Sequence, residues 1–64
     1  PHKWAAAEAK VAELEAAVAE LDRQLGDSAN HADGTRMAKL GRDREVAAAQ
    51  LEQAEATWME LLEG

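Results

Sequence analysis

The chain has no cysteine, tyrosine, phenylalanine or isoleucine, and one proline in 64 residues. Each absence excludes something. Without cysteine no disulfide framework is possible, which fits a reducing cytoplasm, the expected location. With so few β-branched and aromatic residues, a sheet has little to be built from. No apolar run approaches the roughly 18 residues that a membrane span needs, and no signal peptide is visible. Neither cysteine, tyrosine nor a Ser-His pair offers a nucleophile, so the chain is expected not to be an enzyme by itself. It begins at Pro1 without an initiator Met, and the expectation is a fragment of a larger protein.

What is present is a repeat of seven. Trp4, Val11, Val18 and Leu25 follow one another at that spacing, and so do Ala7, Leu14 and Leu21. A second series puts Met37, Leu51 and Trp58 on one line with Arg44, and Leu40, Ala47, Ala54 and Leu61 on another. Alternating steps of three and four place both lines of each series on one narrow helical stripe, the coiled-coil pattern. The stretch 26–36 between the series is polar and holds Gly26 and Gly34. The fold class that follows is all-α, a two-helix antiparallel coiled-coil hairpin in a single domain spanning 1–64.

Helix formers fill both arms, predicting helices over about 3–25 and 35–63 with a loop over 26–34. Pro1 is tolerated ahead of a first turn. Gly26 reads as the stop of the first helix, and Asp33 or Thr35 as the cap of the second. Gly41 lies inside the second helix at a cost of about 1 kcal/mol relative to Ala. In an antiparallel pair, facing residues have a constant index sum. A sum of 65 sets Leu14 against Leu51, Ala7 against Trp58, Leu25 against Leu40 and Leu21 against Arg44, so that large mostly meets small. At 1.5 Å per residue, such a hairpin is roughly 35–40 Å long. Arg44, alone among apolar seam positions, is expected to reach solvent or to pair with Asp22 or Asp43.

The apolar content is nearly half, but sixteen of those residues are Ala, which bury little. Marginal stability, or self-association over the exposed seam, is therefore expected. Net charge is −6, which weighs against tight sequence-independent binding of nucleic acid. The charge is unevenly spread. Residues 23–44 carry five basic and three acidic side chains, whereas the rest carries two lysines against ten acids. The turn end is thus mildly basic and the open end strongly acidic.

Arg36, Lys39 and Arg42 follow at spacing three near the turn. They fit either a phosphate-tracking patch or a solvated face that balances neighbouring acids. His2 and His31 have no second metal-type ligand at helical spacing and read as solvated, so neither metal nor other cofactor is expected. Trp4 and Trp58 could stack on bases, but their heptad positions assign them to the seam, with Val11, Leu14, Val18, Leu21, Leu25, Met37, Leu40, Leu51 and Leu61.

Three pieces stand in order along the chain: Val11-Ala12-Glu13-Leu14 through Leu25-Gly26-Asp27, then Arg36-Met37-Ala38-Lys39-Leu40, then Ala56-Thr57-Trp58-Met59-Glu60-Leu61-Leu62-Glu63. A heptad helix, a loop introduced by Leu-x-Asp and a second helix closing in Trp-x-x-Leu resemble the C-terminal coiled-coil domain of ABC-F ATPases, in particular the Uup type. The resemblance covers residues 11–63. It implies a tail behind two nucleotide-binding cassettes of a cytoplasmic ATPase linked to ribosomes or DNA. Carried over by position, Arg36, Lys39 and Arg42 are the candidates for contact with DNA or ribosomal RNA. The overall acidity and the Pro1-His2-Lys3-Trp4 start depart from that family's pattern. No Walker motif is present, so ATP hydrolysis would belong to the cassettes in cis. The tRNA-contacting coiled-coil arm of valyl-tRNA synthetases is similar but more basic, and lacks the closing Trp-x-x-Leu. A structural spacer or dimerisation hairpin without a ligand is the remaining alternative.

Overall fold

A computed structural model describes residues 3–64 and, for Lys3, the backbone alone. Pro1 and His2, with the expectations attached to them, lie outside the described residues. Two α-helices account for nearly everything else, α1 (Lys3–Leu25) and α2 (Gly34–Glu63), and they pack against each other as a hairpin. Ala, Leu, Glu and Gln dominate both arms, residues that lose little side-chain freedom in a helix. The molecule measures 48 × 15 × 13 Å. It exceeds the expected length because α2, with 30 residues, alone reaches about 45 Å at 1.5 Å per residue.

Val11, Leu14, Leu40 and Ala47 are the buried core. Val18, Leu21, Leu25, Met37, Leu51, Trp58 and Leu61 line the same seam but remain half-buried. The reason is geometric: two cylinders touch along one line, and nothing closes over the flanks of that line. Trp4 is 39% exposed. It stands in the first turn of α1, where α2 has only its last turn to offer as cover.

Arg44 and Asp22 face each other across the helices, with Nε to Oδ1 at 2.6 Å. Their numbers add to 66, one away from the sum of 65 that the seam pattern requires and far from either neighbouring heptad register. The groove that Lys10 and Leu14 share with Gln50, Gln53, Ala54 and Thr57 brackets the same alignment from the open side.

α1 stops without any left-handed residue, since no glycine has positive φ. Gly26 still donates to the Asp22 carbonyl at 3.0 Å, as a helical residue would. Gly26 is the stop, as its position after Leu25 predicts, and the last carbonyls are closed by another device than a left-handed glycine. The loop folds back and satisfies the exposed carbonyls with side chains: Asn30 Nδ2 donates to Gln24 O at 2.9 Å, and His31 Nε2 lies 2.6 Å from Leu25 O. A carbonyl can only accept, so Nε2 carries the proton. At the other side of the loop, Asp33 caps α2, its carboxylate accepting from Arg36 N at 3.0 Å. Of the two cap candidates, Asp33 holds the position and Thr35 lies within the first turn.

Candidate functional site

The hairpin tip is built from the loop upward. Asp27 accepts from Ala29 N through its carboxylate at 3.0 Å, and its carbonyl accepts from Asn30 N at 3.0 Å. Ser28 O and Asn30 O accept in turn from His31 N and Asp33 N. Consecutive turns of this kind hold a short connection in one shape, because the amides of Ala29, Asn30, His31 and Asp33 each have an acceptor within the loop.

On this scaffold stand the three cations read from the sequence. Arg36 is exposed, and its Nη1 donates to Asn30 Oδ1 at 3.1 Å. Asn30 thus ties three segments together, since its amide nitrogen already holds the end of α1. Lys39 is exposed and pairs with Asp43 one turn on, Nζ to Oδ2 at 2.9 Å. Arg42 is exposed and makes no ion pair among the described residues. The three lie within nine ångström of helix axis at about 1.5 Å per residue, fanned over a third of the helix circumference.

The remaining tip cations are spoken for. Arg23 clasps Glu20 with Nη2 to Oε1 at 2.7 Å and Nε to Oε2 at 3.0 Å. That fork, followed by the Gln24 amide, draws the Glu20 carboxyl down to about 2. Arg44 turns out of the seam towards Asp22, which raises its own pKa through the same hydrogen bond. Of the two partners open to Arg44 from sequence, Asp22 takes it and Asp43 is left for Lys39. The surface that offers positive charge to an outside partner is therefore Arg36 and Arg42, with Lys39 held by a solvent-exposed pair that a phosphate can displace at small cost.

Away from the tip, the open groove beside Lys10 and Leu14 has a volume of roughly 340 Å³. Lys10 is its single titratable lining residue and is engaged with Glu13 at 3.8 Å. No group of three His, Cys, Asp or Glu able to hold a metal exists among the described residues. His31, read from sequence as a solvated loop residue, is exposed but bound to Leu25 O. Asn30 and His31 escaped the sequence reading as structural residues. The available signal was their placement five and six residues beyond Leu25, within reach of the uncapped carbonyls of α1.

No helix among the described residues is long and apolar enough to cross a membrane. No curated protein and no solved structure matches the chain. The model of the ABC transporter C-terminal domain family matches residues 1–63, extending the likeness over the first ten residues as well. With the two-helix hairpin and the closing Trp-x-x-Leu already in place, the chain belongs to the ABC transporter C-terminal domain family.

Proposed function

We propose that this hairpin is a non-catalytic appendage of a cytoplasmic ABC-F type ATPase, and that its tip contacts nucleic acid, as DNA or as ribosomal RNA. The observation that carries the reading is the disposition of Arg36, Lys39 and Arg42. All three are exposed at the end where charge is positive, two have no carboxylate partner, and the third has one it can exchange. Phosphate contacts need cations presented on a fixed support, and the Asn30 bridge to Arg36 supplies one. The acidic open end, with ten carboxylates outside residues 23–44, repels a polyanion and so orients the hairpin tip-first. Hydrolysis of ATP belongs to the cassettes in cis, and the hairpin acts by positioning them or reporting on the bound strand.

The test is a titration of short single-stranded DNA and RNA at low salt, followed by amide chemical shifts. Shifts confined to residues 30–44 are expected, with a salt slope of about −2 for three phosphate contacts on a single strand. Replacing Arg36, Lys39 and Arg42 together by Glu should remove the shifts. An unmoved set of tip amides would overturn the proposal.

A second reading, a spacer without ligand, is favoured by one observation: Arg23, Lys39 and Arg44 each have a carboxylate partner within the chain. The same titration separates the two.

A further inference from the structure

The outer face of α2 carries a second stripe at heptad spacing, and it does not face α1. Lys39 and Arg42 begin it, Glu60 and Glu63 end it, and steps of three and four connect them through Val46, Ala49, Gln53 and Ala56. Every one of these positions is exposed. Val46 is 57% exposed, an apolar side chain left in solvent at the centre of the stripe's basic half. The stripe is basic at its start, uncharged through its middle and acidic at its end, which makes it complementary to itself reversed.

We infer that this face of α2 is a docking surface for a second copy of the chain, arranged antiparallel about a two-fold axis. In that arrangement Lys39 meets Glu63 of the other copy, Arg42 meets Glu60, Val46 meets Ala56 and Ala49 meets Gln53. All four pairs share one index sum, 102, so a single register satisfies them together. The two-fold repeats each pair once more, as an isologous contact requires. A parallel arrangement would set Lys39 on Lys39 and Glu63 on Glu63. A slip of seven residues leaves either the cations or the acids overhanging without partners. Small residues at Ala49 and Ala56 let the helices approach closely enough for Val46 to be covered.

The flanks set the strength. Gln50 faces its own copy near the axis on one side, and Glu52 faces its own copy on the other. That like-charge pair weakens the dimer, and the narrow stripe keeps it below the buried area of a permanent assembly. Binding in the upper micromolar range is the consequence. Lys39 gives up an exposed pair with Asp43 for one with Glu63, an exchange of like for like.

Sedimentation equilibrium of the 64-residue chain, without nucleic acid and from about 10 µM to about 1 mM, reads the association directly. A reversible monomer–dimer equilibrium that tightens as salt is lowered is expected. Val46→Glu and Arg42→Glu should each weaken it at least about tenfold, with far-UV circular dichroism unchanged because both positions are exposed and Glu favours helix. Arg42→Glu combined with Glu60→Arg restores the pair with its signs exchanged and should bring the affinity back, while Glu52→Gln should tighten it. A monomer throughout the range, an indifferent Val46→Glu, or a charge exchange that fails to restore association would overturn the inference. The two readings share Lys39 and Arg42, so the oligonucleotide titration is made on dilute, monomeric chain and the sedimentation without nucleic acid; under those conditions either reading can fail while the other stands.

Discussion

The two ends of the hairpin are held by different forces. At the tip, directional bonds do the work: Asn30 and His31 close the carbonyls of α1, Asp33 opens α2, and Arg44 reaches across to Asp22. Towards the open end, the described ion pair, Lys10 with Glu13, is local to one helix, and the seam supplies the described packing between the arms. Three of the four large apolar side chains that remain exposed, Trp4, Met59 and Leu62, lie at that end. Trp58 keeps its indole nitrogen buried there without a hydrogen-bond partner, a cost of about 1–3 kcal/mol that no described side chain of the tip shares. A short connection must be specified bond by bond, because it cannot bury enough surface to be specified by packing. A helical arm needs only the stripe.

If packing governs the arms, removing its centre should be the most damaging single change. Leu14→Ala deletes a side chain that is 6% exposed and should cost about 2–5 kcal/mol, enough to abolish the cooperative melt of so small a domain in a thermal circular-dichroism scan. A loss near that of a surface substitution would mean that Leu14 is not a keystone and that the register is wrong.

If directional bonds govern the tip, its cap should come next. Asp33→Ala removes the acceptor for Arg36 N and should cost about 1 kcal/mol in a urea titration, with hydrogen exchange rising at 34–37 before it rises in the arms. Uniform protection loss along the chain would erase the distinction between the ends.

Gly41 sharpens the comparison from the opposite side. It lies inside α2 beside the seam, and a Cβ built there meets nothing within 4 Å. Gly41→Ala should therefore stabilise the chain by about 0.5–1 kcal/mol, read as a raised midpoint of thermal unfolding. An unchanged or lowered midpoint would show that the backbone at 41 serves something other than the monomer.

The smallest effect is electrostatic. The pKa of the Glu20 carboxyl falls from its ordinary 4.5 to about 2 in the folded chain, because Arg23 and then Gln24 hydrogen-bond its charged form. A depressed carboxyl stabilises the fold fully above the unfolded value and loses that contribution as pH falls from 4.5 towards 2. The pair is exposed to solvent, so a slight acid destabilisation is expected, absent in Arg23→Gln. Carboxyl chemical shifts should follow, with the Glu20 midpoint rising in that variant.

Much of the architecture was legible in the residue spacing, and the reasons are particular. Leu14, Leu40 and Val11 fall on stripes that only one antiparallel register can bring together, and the Arg44–Asp22 contact lies within one residue of it. The candidate cations were legible only as a cluster of three. Which of them is spoken for was not: Arg44 had both Asp22 and Asp43 within reach, and only the place where the opposite helix puts Asp22 leaves Asp43 to Lys39. That α1 stops at Gly26 was legible, but how its last carbonyls are closed was not, because glycine usually ends helices by turning left-handed and this one does not. Here the loop doubles back so tightly that Asn30 and His31 cap the helix instead.

Amino-acid order alone determined two helices, the point where they part, the face each buries and the acidic-to-basic gradient along them, because heptad spacing and helix propensity act within a few residues. Only the tertiary structure decided which carboxylate each cation takes, how the carbonyls of α1 are closed and how much of the seam stays open to solvent. Those outcomes depend on distances between residues far apart in the chain, and such distances exist only after the arms have met.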